Sequence, residues 1–310
     1  MNLRDLQYIV AVADLGHFGR ASAACNVSQP TLSGQILKLE DELGVQVFER
    51  DGRSVRVTDR GGAIVAHARR AVNAAADLVA AARASRDPLD GAIRLGVIAT
   101  IGPYLTPYLL PAAARYLPKA PIMLVEDLTA HLLPMLADGK LDAAIIATDP
   151  PSDRLDAIDL YEEQFLLMLS ARHPLARRPS VRIDEIDPKT LLLLADGHCL
   201  RDQALDLCRH PDLGGGAMAD MRAASLETLL HLAAADYGVT LAPSMAVESW
   251  GKQTDRLVAA PIEGEGVARR VRLVFRRDMP RRAAMDALAR SICGALPSSV
   301  TPAPDSQQTG

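Results

Sequence analysis

Two rhythms divide the chain. In its first ninety residues apolar positions recur with a helical period; beyond residue 91 short apolar runs alternate with amphipathic ones. Leu3, Leu6, Ile9, Val10 and Val12 predict a first helix to about Asp14, ended by Gly16. "FGRASAAC" is a second, short helix whose small residues permit close packing. Asn26-Val27 breaks it, Ser28 stands where an N-cap belongs, and Pro30 falls in the first turn of a third helix. In that helix Leu32, Ile36, Leu39 and Leu43 form one inward stripe. "VQVFERDGRSVRVTDRG" alternates around Asp51-Gly52 and reads as a β-hairpin. Thr58 can cap the next helix, alanine-rich from Ala63 to Arg83, with Ile64, Val65, Ala68, Val72, Ala75, Leu78, Val79 and Ala82 on one side. Such a face wants a partner helix. Asp87-Pro88 breaks the chain, which puts a domain boundary at about residues 87–91.

From residue 91, "AIRLGVIA", "PIMLVEDL", "LDAAIIA", "FLLMLSA", "KTLLLLAD", "VTLAPSM" and "VRLVFR" are strand candidates. "PYLTPYLLPAAARYL", "AHLLPMLADG", "LETLLHLAAADYG" and "RRAAMDALARSICGAL" are helix candidates. Alternation of this kind predicts a parallel α/β domain. Ligands of such sheets bind beyond the carboxyl ends of strands, which marks the loops "ATIGPY" and "DGHC". The expected layout is a helical unit with a hairpin over 1–60, a linker and dimerisation helix over 61–90, an α/β domain over 91–297 and a polar, disordered tail over 298–310.

The 310 residues carry a formal charge of −4, which by itself argues against a nucleic-acid binder. Residues 1–70 hold nine Lys+Arg against eight Asp+Glu, a net of about +1, so geometry must carry any DNA reading. It does. The outward face of the third helix offers Gln29, Thr31, Ser33, Gln35 and Lys38, with Ser28 and Pro30 at its start; Arg50, Arg53 and Arg56 decorate the hairpin. These side chains bond phosphates and base edges. Helix, helix, turn, polar-faced helix and basic hairpin describe a winged helix-turn-helix. The bland alternative is a small helical subdomain with a solvated polar face. No signal peptide or membrane span is read, so a cytoplasmic protein with reduced thiols is expected.

"FGRASAACNVSQPTLSGQILKLEDELGVQVFER", followed by "VTDRG", resembles the DNA-binding domain of LysR-type transcriptional regulators over about the first sixty residues. The resemblance implies homodimers or homotetramers on pseudo-palindromic, double-stranded promoter DNA. It also implies a two-lobed regulatory domain like a periplasmic binding protein, so the fold class expected is α/β behind a winged helix-turn-helix and linker helix.

One stretch remains. "DGHCLRDQALDLCRH" sets two of the four cysteines nine residues apart among charged neighbours. Read as a helix with Cys199 at its start, it places a thiolate-favouring helix N-terminus at that thiol, with Arg201 and a protonated His198 near. An intact helix keeps Cys199 and Cys208 ~13 Å apart along the axis and on opposite faces. A disulfide needs Cα atoms within ~7 Å, so if the pair bonds, the helix must unwind. In that case Cys199 is the peroxide-reactive thiol and Cys208 the resolving one. Two other readings stand beside it: a metal site from His198, Cys199, Cys208 and His210, whose spacing matches no common zinc pattern, and two unremarkable buried thiols. Cys25 and Cys293 read as core residues.

Together with "ATIGPYL" and "ASLETL", the cysteine phrase resembles the hydrogen peroxide-sensing OxyR subfamily of that family. The resemblance implies a reversible Cys199–Cys208 disulfide and a peroxide pocket lined by Thr100, Thr129, His198, Arg201, Asp202 and an arginine before the strand "VRLVFR", Arg269 or Arg270. It further implies recruitment of RNA polymerase at antioxidant genes and a thiol reductant that resets the switch. No cofactor or metal is expected. Two alternatives compete: a LysR-type regulator answering an organic effector in the inter-lobe cleft, and a thiol peroxidase using Cys199.

Overall fold

The structure is a computed structural model, and it describes residues 1–51, 54–208, 222–223, 225–250 and 255–303. The chain divides into two compact units, Met1–Arg86 and Asp87–Gly310.

The first unit contains helices α1 (Leu3–Leu15), α2 (Phe18–Ala24) and α3 (Gln29–Leu43), strands β1 (Phe48–Asp51) and β2 (Ser54–Val57), and helix α4 (Asp59–Ala84). Asn2 opens α1 with a reciprocal cap to Asp5, and Gly16 closes it at φ 60°, a left-handed turn that only glycine adopts without strain. Ser28 caps α3 by accepting from the Thr31 N–H, with Pro30 in the first turn. Leu32, Ile36 and Leu39 are fully buried and pack with Ile9, Val12 and Phe48. Leu43, expected in the same stripe, is exposed because α3 ends there, at the Gly44 cap, past the core. Glu40 Oε1 accepts from the Val47 and Phe48 N–H groups at 2.7 and 3.0 Å and so fixes where the hairpin leaves α3. β1 and β2 pair antiparallel from Phe48↔Val57 to Asp51↔Ser54. Arg69 of α4, 8% exposed, makes a two-pronged ion pair with Asp14 of α1 at 2.7 and 2.9 Å. Of the apolar face expected on α4, only Val65 and Ala68 are buried within the unit; Leu78 and Val79 are exposed.

The second unit continues with β3 (Ile93–Ile98), α5 (Gly102–Tyr116), β4 (Ile122–Asp127), α6 (Thr129–Ala137), β5 (Ala143–Ile146) and the sixteen-residue β6 (Leu155–Ser170). There follow β7 (Val181–Arg182), β8 (Leu193–Leu194), α7 (Cys199–Leu207), β9 (Arg222–Ala223), α8 (Leu226–Ala234), β10 (Thr240–Pro243) and α9 (Ser244–Trp250). β11 (Leu257–Glu263), β12 (Ala268–Arg276), α10 (Arg282–Cys293) and β13 (Thr301–Pro302) close the described chain. The main sheet runs β4-β3-β5-β12-β6-β11-β7.

That sheet is mixed rather than parallel. β3 runs parallel to β4 and β5, but β12 is antiparallel to β5 and to β6. Local strand–helix alternation cannot reveal this, because the pairing joins β12 to strands more than a hundred residues earlier. β6 serves two lobes: Leu155–Gln164 pairs with β12, and Phe165–Ser170 pairs with β10 and β11. A second core of Leu167, Leu169, Val181, Leu191, Val239 and Leu241 marks the distal lobe. The tail expectation is corrected for residues 298–303. β13 adds to β6, the Ala303 N–H donates to Leu160 O, and Val300 and Ala303 are buried, which gives this stretch an apolar anchor. Residues 304–310 lie outside the described residues.

Candidate functional site

Four loops and strands converge on one buried arginine. β12 and β6 pair with Arg269 directly opposite Glu163, and both side chains point inward, 3% and 1% exposed. Arg269 Nε donates to Glu163 Oε2 at 2.9 Å and Nη2 closes on the same oxygen at 2.8 Å. Nη1 donates to Thr100 Oγ1 and Nη2 to the Thr100 carbonyl, each at 3.0 Å. Glu163 Oε1 accepts from the Met245 N–H at the start of α9 at 2.9 Å. A buried guanidinium is tolerated only when paired and hydrogen-bonded, and here it is both. Thr100 lies in the loop after β3 and Thr129 opens α6 after β4, so both stand at carboxyl ends of parallel strands.

Cys199 is the first residue of α7, half-buried, with Arg269 within electrostatic reach. Burial pushes its thiol above the usual cysteine range. The Arg269 charge, the Leu200 N–H and the Thr129 hydroxyl pull the other way, and Asp202 adds to the rise. Thr129 Oγ1 lies beside the thiol, yet it is buried with no hydrogen bond of good geometry. It is therefore an orphaned polar atom at the reacting position. The preceding turn is held by Gly197, whose φ of 93° and 3.1 Å clearance to Leu128 leave no easy room for a side chain.

Of the residues expected in the pocket, Thr100, Thr129, Cys199 and Arg269 are brought together. Arg270 is not: along β12 side chains alternate, and it faces outward to Asp159 at 3.4 Å, half exposed. With Arg269, Asp149, Glu162, Gln203 and Arg272 it lines a polar cavity of about 410 Å³. Arg201 turns back onto the Leu194 carbonyl and Asp196, each at 3.1 Å, and so fastens the turn before α7 instead of facing the thiol. His198 occupies the N-cap position without capping; burial lowers its pKa and so works against the protonated form. Asp202 is exposed. Cys208 follows α7, is 8% exposed and belongs to the distal core, while Cys199 packs against the larger one. Both thiols are free. His210 lies outside the described residues, and among those described no cluster of three or more His, Cys, Asp or Glu is set to hold a metal. Cys293 donates to the Leu160 carbonyl and Cys25 ends α2, both half-buried.

Glu163 escaped the sequence reading. Its signal was present: in "LYEEQF" it falls in phase with Tyr161 and Phe165, a carboxylate at an inward position of a strand.

In the first unit Ser28, Gln29, Pro30, Thr31 and Lys38 are exposed on α3, and Ser33 and Gln35 are half-exposed beside them. Arg56 is exposed on β2. Arg50 lies on β1 opposite Val55, and Arg53 lies outside the described residues. No helix among the described residues is long and apolar enough to cross a membrane.

A winged helix-turn-helix joined to a two-lobed α/β domain defines a one-component DNA-binding regulator. Comparison with known proteins agrees. Residues 3–62 match the bacterial regulatory helix-turn-helix of the lysR family, and residues 86–295 match the LysR substrate binding domain. The chain is 41% identical over 292 residues to the DNA-binding transcriptional dual regulator OxyR of Escherichia coli K12, covering 94% of this chain and 95% of that one. It is 40% identical over 293 residues to a probable hydrogen peroxide-inducible genes activator of Mycobacterium leprae, covering 94% and 93%. Full-length OxyR from Pseudomonas aeruginosa, a cysteine variant, superposes with a TM-score of 0.80 at 38% identity, covering 96% of this chain and 99% of that one. An H2O2-bound cysteine variant of Corynebacterium glutamicum OxyR superposes with a TM-score of 0.64 at 34% identity, covering 95% and 92%. The chain belongs to the LysR family of regulators and, within it, to the OxyR subfamily.

Proposed function

We propose that this protein is a hydrogen peroxide-sensing transcriptional regulator that works in the cytoplasm as a homodimer or homotetramer on promoter DNA. The observation that carries the reading is the placement of Cys199, at the start of a helix and under an inward-facing arginine, with Cys208 buried at the far end of the same helix.

The chemistry follows from that placement. The Cys199 thiolate attacks one peroxide oxygen; an S–O bond forms, the O–O bond breaks, and hydroxide leaves and takes a proton to become water. Arg269 and the Thr100 hydroxyl, which accepts from Arg269 and so has its own proton to give, stabilise the charge on the leaving oxygen. Thr129 holds the other end of the peroxide. The resulting sulfenic acid condenses with the Cys208 thiol, releasing a second water and leaving a disulfide. Because α7 spans the interval between the two sulfurs, the disulfide form has an unwound α7. This change reshapes contacts between regulatory domains, alters how the α3 helices address the operator, and recruits RNA polymerase at antioxidant genes. Two equivalents of a small thiol return both cysteines to thiols and leave their own disulfide.

The polar face of α3, Ser28 to Lys38, enters the major groove, and Arg50, Arg53 and Arg56 meet phosphate from the hairpin. The test is operator selection from a random duplex pool, followed by footprints of reduced and peroxide-treated protein. A two-fold symmetric site whose protection changes on oxidation, and does not change for Cys199→Ser, is expected. An identical footprint in both states, or induction by an organic effector that survives Cys199→Ser, would overturn it.

A further inference from the structure

We propose that Glu163 is a positioning residue for the peroxide reaction: it holds the Arg269 guanidinium in the one orientation that presents its Nη1 edge, through Thr100, to the peroxide oxygen that leaves as hydroxide. The inference rests on the reading of Cys199 as the peroxide-reactive thiol and deepens it.

The argument begins with the strand register. Arg269 and Glu163 are directly opposed in the β12–β6 pair, at the point where β6 stops pairing with β12 and begins pairing with β10 and β11. An arginine side chain has several rotatable bonds, and its orientation must be fixed by its partners. Four contacts to three partner atoms fix this one, and two of the three atoms belong to Thr100, whose hydroxyl is itself a rotor. The remaining anchor is the Glu163 carboxylate, met by both Nε and Nη2. Glu163 cannot turn away, because its other oxygen is held by the Met245 N–H and the side chain has no access to solvent. The carboxylate is therefore the fixed point from which the guanidinium plane, the Thr100 hydroxyl and the reacting position are laid out in sequence.

The same carboxylate has a second consequence. It offsets the Arg269 charge that favours the Cys199 thiolate. Removing its charge and its acceptor should therefore move two properties in opposite directions. The thiolate becomes easier to form, because the guanidinium acts unopposed. Peroxide cleavage becomes harder, because the guanidinium is no longer aimed. A role in folding alone would move both rates together or neither.

The experiment compares wild type, Glu163→Gln and Glu163→Asp as full chains. It measures the second-order rate of sulfenic acid formation at Cys199 with hydrogen peroxide and the rate of Cys199 alkylation by iodoacetamide, from pH 6 to 9, on the folded fraction. Glu163→Gln is expected to lower the peroxide rate at least tenfold while alkylation at pH 7 holds or rises. Glu163→Asp keeps the charge but draws it back by one methylene; it is expected to lower the peroxide rate by about threefold or more and to leave the alkylation profile in place. If Glu163→Gln does not fold, the Glu163→Asp comparison decides alone. Wild-type peroxide rates in the folded variants, or equal losses with both reagents, overturn the inference. A wild-type protein whose Cys199 does not react with peroxide overturns the proposed function instead, so the two failures are distinguishable.

Discussion

The helix between the two thiols sets how readily the disulfide is reduced, and its last turn offers a clean perturbation. Asp206 is exposed in the final turn of α7. There it is a poor helix former, and its negative charge opposes the negative end of the helix dipole. Replacing it with Ala gains about 0.6 kcal/mol of intrinsic propensity. It also removes an unfavourable dipole contact of about 0.3 kcal/mol. In an unwound disulfide state neither term applies. Asp206→Ala therefore stabilises the reduced form alone, by ~1 kcal/mol, which is about fivefold in the thiol–disulfide equilibrium and ~20 mV towards a more oxidising potential. The assay is a glutathione redox titration with thiol trapping at equilibrium, read by mass on the peptides that carry Cys199 and Cys208. A midpoint that does not move, or that moves towards a less reducible disulfide, would refute the claim that oxidation unwinds α7.

Other outcomes follow from the same geometry. Gly197→Ala introduces a side chain at φ 93° and 3.1 Å from Leu128, so it displaces the start of α7; strain of about 1–2 kcal/mol and a slower Cys199 oxidation are expected from chemical denaturation and stopped-flow measurements. Because burial raises the Cys199 pKa, the thiolate fraction is still climbing above neutrality, and iodoacetamide alkylation should rise about tenfold per pH unit with no plateau below pH 8; a plateau near neutrality would contradict the site's electrostatics. Arg69→Met removes the two-pronged ion pair with Asp14 and should cost about 2 kcal/mol in urea unfolding, less than a fully buried pair because Asp14 keeps part of its side chain in solvent. Lys38→Ala should weaken binding to all duplexes alike and reduce the salt slope of log K by about 1, whereas Gln35→Ala should relax base preference with the slope unchanged; titrations across salt concentrations separate the two.

The local elements were legible because local chemistry specifies them. The Ser28 and Thr58 caps and the Gly16 stop each act within a few residues, and the helices and paired strands of the first unit lie where the local signals put them. What depends on distant partners was not legible. The antiparallel insertion of β12 between β5 and β6 joins residues far apart in sequence, and nothing within either segment announces it. The tail residues Val300 and Ala303 read as polar disorder until β6 supplies a sheet edge for them. The site divides in the same way. Thr100 and the start of α7 lie in loops marked after strands, Thr129 came only with the family resemblance, and choosing between Arg269 and Arg270 needs the phase of β12. Arg201 likewise needs distant partners: only the return of the turn onto Leu194 and Asp196 shows where it is held. Net charge misled least where geometry was strongest, since the polar face of α3 is evident although the first seventy residues are almost neutral.

The central claim is that peroxide joins Cys199 to Cys208. The most direct measurement is intact mass with thiol labelling and peptide mapping of reduced protein after one equivalent of hydrogen peroxide. The account predicts a loss of two hydrogens confined to the Cys199 and Cys208 peptides, absent in Cys199→Ser, with Cys25 and Cys293 still free. Thiols that stay free at both positions under peroxide that oxidises a control sensor would contradict it.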